Sequence, residues 1–381
     1  MEKINSAAGF DVVVVGAGFA GMYLIHKLRE QGFSVRAYEA GSNVGGTWYW
    51  NRYPGCRVDV VSAEYSYEFS EELQQEWDWS EKYATQPELL RYANHVADRF
   101  DLRRDIQFHT RVSAASFDES SGRWNVETDQ GDSVSAQYLI LATGTLSTPN
   151  LPPIPGIESF GGKIYHTGHW PHEAVDFSGQ RVAVIGTGSS GCQAIPLIAE
   201  QAERLTVFQR TANYVIPAHN ELVDPAQVEE IKAHYREFRE QNKTYPFAFH
   251  LESREESALD VSDEERERIY EEAWERGGLM FLGIFPDLLT SEEANETAQA
   301  FFRKKLRETV ADEDVAELLM PDFNVGCKRL IVGSNYYETY SRPNVELVSV
   351  KDSPIERITA TSIVVEGREY PVDAIVLATG F

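Results

Sequence analysis

The feature that most constrains this chain is a glycine-rich turn that lies between an apolar run and a helical segment. Residues 11–15 form a short, mainly apolar run, residues 16–21 carry three glycines, and residues 22–29 have helical periodicity. A second apolar run follows at residues 35–39. A strand, a tight turn, a helix and a second strand in this order predict a β-α-β unit with parallel strands.

The same order of elements returns in the second half of the chain. An apolar run at residues 181–185 precedes a second glycine-rich turn at residues 186–191, a helical segment and another apolar run at residues 205–208. Each copy is followed later by an apolar run that ends in Ala-Thr-Gly, at residues 142–144 and 378–380. The sequence therefore predicts an α/β protein with two Rossmann-like dinucleotide-binding domains.

A change of composition separates the two halves of the second domain. Between about residues 217 and 325 the chain is dense in Glu, Lys, Arg and aromatic residues with helical spacing, which predicts a helical insertion. The predicted boundaries are residues 1–147 for the first domain, residues 148–216 with 326–381 for the second, and residues 217–325 for the insertion.

The first turn is predicted to hold the pyrophosphate of a dinucleotide, because backbone N–H groups and the helix dipole favour an anion there. Glu39 ends the second apolar run, where a carboxylate accepts hydrogen bonds from a ribose 2′-hydroxyl. The first site should therefore bind a nucleotide without a 2′-phosphate. Three glycines alone would be weak support, but strand, helix and acid together favour binding. The predicted contacts of this turn are Gly16, Gly18, Ala20 and Gly21.

The second turn is followed by a strand that ends in Arg210 and Thr211 rather than in an acid. A guanidinium and a hydroxyl suit a 2′-phosphate, which a carboxylate would repel, so NADP is the predicted ligand. The alternative is an ordinary exposed arginine at a strand end. The predicted contacts of this turn are Gly186, Thr187, Gly188, Ser189, Ser190 and Gly191.

Two dinucleotide sites in one chain indicate a flavin that is reduced by a nicotinamide. A disulfide reductase would need a redox cysteine pair after the first unit, and only Cys56 is there. Three cysteines and no clustered histidines predict no metal site and suit a reducing cytoplasm. The formal net charge of −25 argues against nucleic acid or an anionic membrane as partner.

A third motif lies just before the second turn and contains Phe160, Gly162, His166 and Trp170. From spacing alone it is a linker with one structural histidine. Its pattern, F-x-G-x-x-x-H-x-x-x-W, resembles the fingerprint of the Baeyer–Villiger monooxygenases. Related flavin monooxygenases that oxygenate amines and sulfides place Tyr or Phe at the position of Trp170, so this residue favours ketone oxygenation. The resemblance implies that His166 and Trp170 belong to a linker that couples the two nucleotide domains.

Residues 45–55 resemble the flavin-contacting segment of phenylacetone, steroid and cyclohexanone monooxygenases, and the similarity runs through essentially the whole chain. The resemblance implies FAD at the first turn and NADP at the second. It places Arg57 near the NADP side and Lys328 with Arg210 and Thr211 at the 2′-phosphate. The further FAD contacts that it implies are Thr47, Trp48, Tyr49, Trp50, Asp59, Tyr65 and Val112.

The same resemblance implies that Arg329 and Asp59 are the catalytic residues. The family uses NADPH and O2 to convert a ketone to an ester or lactone through a flavin peroxide that must stay anionic. The permanent positive charge of Arg329, which also contacts the cofactor, favours that anion, and Asp59 would pair with Arg329 and position it. On residues alone, Arg329 is an ordinary ion-paired arginine.

Two alternatives remain open at this point. One is a flavin-dependent N- or S-oxygenating monooxygenase, and the other is an inactive nucleotide-binding fragment. The family continues beyond the position of Phe381 with a segment that completes the FAD domain, so the sequence is expected to be part of a longer enzyme. The expected partners are a small-molecule ketone and O2, with no nucleic acid or membrane, and the expected assembly is a monomer or a weak homo-oligomer.

Overall fold

A computed structural model describes residues 8–245, 247–249, 251 and 253–381. The chain forms two compact units. The first unit runs to Arg52 and also contains Gln86–Thr148 and Phe381, and the second contains Tyr53–Thr85 and Pro149–Gly380. Tyr53–Thr85 therefore belongs to the second unit although it interrupts the first in the sequence. The domain boundaries expected from the sequence remain predictions.

Strands and helices are numbered along the chain. Within the described residues the strands are β1 (Ala8–Val15), β2 (Val35–Tyr38), β3 (Ile106–Gln107), β4 (Val112–Asp118), β5 (Arg123–Thr128), β6 (Ser133–Leu141), β7 (Lys163–His166), β8 (Arg181–Ile185), β9 (Arg204–Gln209), β10 (Val215–Pro217), β11 (Ile331–Gly333), β12 (Val345–Ser349), β13 (Arg357–Ile358), β14 (Ser362–Val365), β15 (Arg368–Pro371) and β16 (Ala374–Leu377).

The helices of the same residues are α1 (Phe19–Glu30), α2 (Thr47–Trp50), α3 (Glu71–Glu76), α4 (Gln86–Arg99), α5 (Ser189–Gln201), α6 (Pro225–Ala233), α7 (Tyr235–Asn242), α8 (Asp263–Arg276), α9 (Glu292–Thr309), α10 (Glu313–Leu318) and α11 (Tyr336–Thr339). Short 3-10 turns lie at Arg103–Asp105, Ile157–Ser159 and Leu279–Gly283.

The first unit is built on a six-stranded sheet with the order β3-β2-β1-β6-β5-β4. Strands β3, β2, β1 and β6 are parallel, whereas β5 pairs with both β4 and β6 in antiparallel fashion. The side chains of Val12, Val13 and Val14 are buried, as expected for a central parallel strand with both faces covered. Helix α1 follows β1 directly, so the first glycine-rich turn lies at the carboxyl end of the central strand.

The second unit contains a five-stranded parallel sheet with the order β12-β9-β8-β16-β7. Helix α5 follows the central strand β8, which places the second glycine-rich turn as the first is placed. An antiparallel sheet of β13, β14 and β15 and a parallel pair, β10 and β11, complete this unit. The prediction of an α/β fold with two Rossmann-like sheets is confirmed.

Helices α6 to α10 form the predicted insertion. Ser262 and Ser291 accept hydrogen bonds from the backbone N–H of Glu265 and Ala294 and so cap α8 and α9. Buried aromatic rings join these helices, and Tyr270 stacks on Phe281 with 5.4 Å between the ring centres. Burial of such rings, at about 1.5–3 kcal/mol for each large side chain, is what stabilises an insertion with so charged a surface. None of the helices that the structure describes is long and apolar enough to cross a membrane.

Candidate functional site

The first glycine-rich turn is closed against the end of β6. Gly16 has φ +104°, and a Cβ added there would lie 2.5 Å from the carbonyl oxygen of Ala142. An added Cβ on Gly21 would clash with the carbonyl of Gly16. Gly18 precedes α1, and Ala20 is exposed in its first turn. The glycines thus let the chain turn tightly and leave backbone N–H groups at the start of α1 open to an anion.

Glu39 is buried, at 6% exposure, and binds the turn itself. Its Oε2 accepts a hydrogen bond from the N–H of Ala17 at 2.8 Å, and its Oε1 accepts one from the N–H of Gly41 at 2.7 Å. A carboxylate has about four lone-pair positions, so it can still accept a ribose hydroxyl. The acid that was predicted to bind a nucleotide therefore also holds the backbone of the turn.

The segment expected to contact FAD packs against this turn. The N–H of Gly45 donates to the carbonyl of Ala17 at 3.0 Å, and a Cβ on Gly46 would lie 2.8 Å from Cα of Gly18. Helix α2 begins immediately afterwards, with Thr47 and Trp50 half-buried and Trp48 and Tyr49 buried.

Two further residues complete this part of the first unit. Gln86 donates a hydrogen bond from its side chain to the carbonyl of Trp48 and so ties α4 to α2. Val112 begins β4, two residues after Thr110, whose N–H donates to the carbonyl of Glu39 at 2.9 Å. The expected FAD contacts of the first unit therefore lie along the loops at the carboxyl ends of β1, β2 and β3.

The second turn repeats the first with different partners. Gly186 has φ +107°, and an added Cβ would clash with the carbonyl of Ala378, while a Cβ on Gly191 would clash with the carbonyl of Gly186. Gly188 precedes α5, whose first two residues are Ser189 and Ser190. In each turn the first glycine therefore lies against the carbonyl of an alanine, Ala142 or Ala378, that begins an Ala-Thr-Gly.

The residues expected at a 2′-phosphate follow β9. The hydroxyl of Thr187 donates to the carbonyl of Thr211 at 3.1 Å, which joins the glycine-rich turn to the end of this strand. Arg210 is exposed and makes no side-chain hydrogen bond or ion pair with the residues that the structure describes. Lys328 is also exposed, with Nζ 4.5 Å from the ring centre of Phe323. Both cations are available to an anionic ligand.

Asp59 and Arg329 form an ion pair within the second unit, 270 positions apart in the chain. Nη2 of Arg329 donates to Oδ1 of Asp59 at 2.6 Å, with the arginine side chain 59% exposed and the aspartate 26% exposed. Burial raises the pKa of Asp59, and the charge of Arg329 opposes that rise. The guanidinium of the pair lies at an accessible surface.

The segment that carries Asp59 is attached to helix α5. The hydroxyl of Tyr53 donates to Oε1 of Gln193 at 2.9 Å, and Nε2 of Gln193 donates to the carbonyl of Arg57 at 3.2 Å. The side chain of Arg57 pairs with Glu81 at 3.0 Å. Arg57 therefore lies in the unit of the second turn. Tyr65, expected along FAD, is half-buried in the same unit.

Sequence reasoning missed Gln193 and Glu81. No sequence motif contains either residue, because their partners are 24 to 140 positions away.

The structure of the fingerprint motif differs from the linker expected from the sequence. The motif was expected to form a linker, but Lys163–His166 forms β7, an edge strand of the second sheet, paired in parallel with β16. Phe160 packs against the core of this sheet, and a Cβ on Gly162 would clash with the carbonyl of Asp373. Pairing with β16 fixes the register of these residues and satisfies the backbone groups on one side of β7, which a free linker would not have.

His166 is buried and uses both ring nitrogens. Nδ1 accepts a hydrogen bond from the N–H of Gly168 at 2.9 Å, and Nε2 lies 3.2 Å from the hydroxyl oxygen of Thr379, which itself donates to the carbonyl of Asn150 at 2.6 Å. The network assigns the proton to Nε2 of a neutral imidazole. Burial lowers the pKa of His166, which agrees with that state. Thr379 belongs to the second Ala-Thr-Gly, the sequence signal that could have identified it.

Trp170 packs inside the second unit. Its ring lies 5.2 Å from that of Tyr165 and 6.3 Å from that of Phe177, and it is 6% exposed. In the structure the fingerprint tryptophan therefore has a packing role.

The two turns fit two dinucleotides, since each combines glycines that let the chain turn tightly with open backbone N–H groups at the start of a helix. A buried acid after one turn and exposed basic groups after the other define a flavin- and nicotinamide-dependent oxidoreductase. A family model described as pyridine nucleotide-disulphide oxidoreductase matches residues 13–272. In the described residues Cys56, Cys192 and Cys327 form no disulfide, and burial raises the pKa of Cys56 to about 12, so no redox pair accompanies the turns.

Curated relatives narrow the class. A Baeyer–Villiger monooxygenase of Pseudooceanicola batsensis is 48% identical over 98% of this chain and 69% of its own length. A phenazine N-monooxygenase of Lysobacter antibioticus is 43% identical over 99% of this chain and 70% of its own length. A solved structure described as oxidized steroid monooxygenase bound to NADP has 57% identity and a TM-score of 0.95, over 98% of this chain and 72% of that one.

The chain belongs to the Baeyer–Villiger monooxygenase family. It is an NADPH- and O2-dependent flavoprotein monooxygenase with FAD and NADP as cofactors.

Proposed function

We propose that the substrate of this enzyme is a ketone, which is converted to an ester or lactone, and that Arg329 is the catalytic cation of this reaction. The observation that carries the proposal is the Asp59–Arg329 pair, in which Asp59 fixes a cationic guanidinium that lies at an accessible surface. Family membership indicates the reaction type, and the guanidinium of Arg329 provides the positive charge that stabilises an anionic oxygen.

Bound FAD and NADPH would supply electrons to dioxygen and so provide the activated oxygen. Arg329 would stabilise the negative charge that develops when the ketone carbonyl is attacked, because a guanidinium stays protonated across the working pH range. One of its five N–H donors is used by Asp59, and the others remain for the reacting oxygen. Asp59 would fix the direction of the guanidinium plane, which makes Asp59 a positioning residue.

The cofactor contacts follow from the two turns. We propose that FAD lies at Gly16–Gly18–Gly21 and Glu39, along α2, and that NADPH lies at Gly186–Gly188–Gly191 with its 2′-phosphate on Arg210 and Lys328. The exposure of Arg210 and Lys328 supports the second assignment, since a phosphate can reach both.

The test compares Arg329→Ala and Arg329→Lys with the parent holoenzyme. Loss of one preorganised cation should lower the rate of ester formation about 100- to 1000-fold in Arg329→Ala, because transition-state charge is left unbalanced. Product is measured by gas chromatography with phenylacetone and cyclohexanone as probes, and flavin content by absorbance. Arg342→Ala is the matched control, because Arg342 is an exposed arginine of the same unit that pairs with Glu200 at 3.5 Å. Full ketone activity in Arg329→Ala would refute the assignment.

A second candidate is oxygenation of a nitrogen atom, which is favoured by the 43% identity to a phenazine N-monooxygenase. Oxygenation of nitrogen or sulfur uses an electrophilic oxygen and does not need the cation. Phenazine and a sulfide are therefore assayed beside the ketones. Turnover of phenazine but not of any ketone, unchanged by Arg329→Ala, would select this second function.

We also propose a cytoplasmic enzyme that is a monomer or a weak homo-oligomer. Free thiols at the three cysteines, one of them exposed, support a reducing compartment. Light scattering coupled to size-exclusion chromatography would determine the oligomeric state, and cell fractionation the location.

A further inference from the structure

One buried arginine of the insertion binds the turn that follows Asp59. Arg239 lies on α7 at 9% exposure. Its Nη2 donates to the carbonyl of Ala63 at 2.8 Å and to the hydroxyl oxygen of Ser66 at 2.7 Å, and its Nη1 donates to the carbonyl of Glu64 at 3.1 Å. Its Nε lies 3.4 Å from Oε1 of Gln74 on α3. A single guanidinium thus joins α7 to residues 63–66.

The shape of the guanidinium matters for this contact. Its donors form a planar fork, so several carbonyls of one turn are bound in a fixed geometry, which the point charge of a lysine would not reproduce. The rings of Tyr235 and Phe238 lie 5.4 and 5.7 Å from the guanidinium carbon and cover it. Asn242, also on α7, donates to Oε1 of Glu64 at 3.4 Å. The turn is therefore held from α7 through polar contacts.

Packing around the same segment is incomplete, because a cavity that is also lined by Tyr235 of α7 lies against it. This cavity of about 220 Å³ lies beside Val61 and Ala63 and is bordered by Trp79 and Val228. Ser62 is the second fixed point, because its hydroxyl donates to the carbonyl of Glu81 at 2.8 Å and accepts from the N–H of Ala84 at 2.8 Å. Since close packing is what usually fixes a loop, hydrogen bonds must do so here.

We propose that Arg239 is a positioning residue for the Asp59–Arg329 pair, acting from the helical insertion by holding the turn 63–66. Without Arg239, Ser62 is left as the hydrogen-bonded anchor between this turn and Asp59, so the short segment from Asp59 to Ser66 gains freedom to shift Asp59 relative to Arg329. A displacement of about 1 Å at such a pair lowers turnover strongly. The inference rests on the proposed function, in which Arg329 is the catalytic cation.

The test uses Arg239→Gln and Arg239→Lys in the holoenzyme, with Arg236→Gln as the matched control. Arg236 lies on the same helix at 77% exposure and pairs with Glu71.

The titratable or charged groups that interact electrostatically with Asp59 are Arg329, Tyr53 and Tyr83.

The first readout is the pH profile of ketone turnover. If Arg329 moves away, the pKa of Asp59 rises, so the acid limb of the profile should shift to higher pH by about one unit in Arg239→Gln. A smaller shift is expected in Arg239→Lys and none in Arg236→Gln. The limb should be absent in Asp59→Asn, and adding Arg239→Gln to that variant should cause no further loss of kcat.

The second readout does not depend on activity. The N–H groups of Glu64 and Tyr65 donate to carbonyls of residues 61 and 62, so their hydrogen exchange should accelerate in Arg239→Gln while that of β8 stays unchanged. A lower melting temperature with an unmoved acid limb and unchanged exchange at residues 64 and 65 would overturn the proposal. Retained ketone activity in Arg329→Ala would instead refute the proposed function, whatever Arg239 does.

Discussion

The two glycine-rich turns have the same backbone geometry but different side chains at the end of the next strand. In both, the carbonyl of an alanine at the end of a neighbouring strand, Ala142 or Ala378, lies close to the first glycine and leaves no room for a Cβ. After the first turn, Glu39 is buried and accepts hydrogen bonds from two backbone amides. After the second, Arg210 is exposed and makes no side-chain hydrogen bond or ion pair within the described part of the chain.

Under the proposed roles of Glu39 and Arg210, ligand recognition is coupled to the fold in the first turn and separate from it in the second. Removal of the carboxylate at the first turn leaves two buried N–H groups without their charged acceptor, so stability and binding should change together. Removal of the guanidinium at the second turn leaves the fold as it is. The following variants test this contrast, from the largest expected effect to the smallest.

The largest effect is expected for alanine at the first glycine of each turn. Gly16→Ala and Gly186→Ala each combine a positive φ with a backbone clash, which costs at least about 1–3 kcal/mol of strain. Gly16→Ala should lower the FAD content of the purified enzyme at least about tenfold, and Gly186→Ala should weaken NADPH binding by a similar factor while FAD is retained. Flavin absorbance and NADPH titration measure the two effects.

Alanine at two other glycines tests the effect of a positive φ without a backbone clash. Gly122 and Gly367 have positive φ values of 65° and 72°, and nothing lies within 4 Å of an added Cβ. Alanine at either position should leave both cofactors bound. Equal losses at all four glycines would mean that the carbonyl contacts of the turns do not matter.

The next effect contrasts Glu39→Gln with Arg210→Gln. The amide of Gln offers one acceptor oxygen where the carboxylate binds two N–H groups, so stability of the first unit should fall by about 1–3 kcal/mol, together with the FAD content. Arg210→Gln should change stability by less than about 0.5 kcal/mol.

The preference of Arg210→Gln for NADPH over NADH is measured next. Its kcat/KM for NADPH should fall about tenfold or more, because a charge-assisted contact to the 2′-phosphate is lost. NADH lacks that phosphate and serves as the control. An equal loss for NADH and NADPH would place the 2′-phosphate elsewhere.

A smaller effect is expected at the two threonines of the repeated Ala-Thr-Gly. Thr379→Val removes the hydroxyl that joins His166 to the carbonyl of Asn150 and should cost about 1 kcal/mol of unfolding free energy. Thr143 is exposed, and its side chain has no hydrogen-bond partner in the described residues, so Thr143→Val should stay within about 0.5 kcal/mol. Denaturant titration measures both, and Thr379→Ser should restore most of the loss.

The smallest effect is a pH dependence of the second unit. Because the pKa of His166 is lowered from its ordinary value of 6.5, the unfolded state binds more protons than the folded state below that pH. Stability from this group is therefore present above pH 6.5 and decreases as the pH falls toward the folded pKa. Calorimetry between pH 7.5 and 5.5 should give a steeper loss of melting temperature in the parent than in His166→Gln. Parallel curves would exclude a neutral buried His166.

The amino-acid sequence alone determined the repeated elements of both sheets, the glycine-rich turns and the contrast between Glu39 and Arg210, because these depend on neighbours within about 25 residues. Resemblance to the family supplied the Asp59–Arg329 pair, whose 2.6 Å contact only the structure displays. The roles of the predicted cofactor residues stay predictions that the variants above test.

The tertiary structure decided what joins distant parts of the chain. It placed residues 53–85 with the second unit, made residues 163–166 of the fingerprint an edge strand, and brought Arg239 to the turn after Asp59. Each of these depends on a hydrogen bond or a strand pairing across 136 or more positions. Sequence periodicity specifies which face of an element is buried but not which distant element covers it, so only the packed fold can supply such contacts.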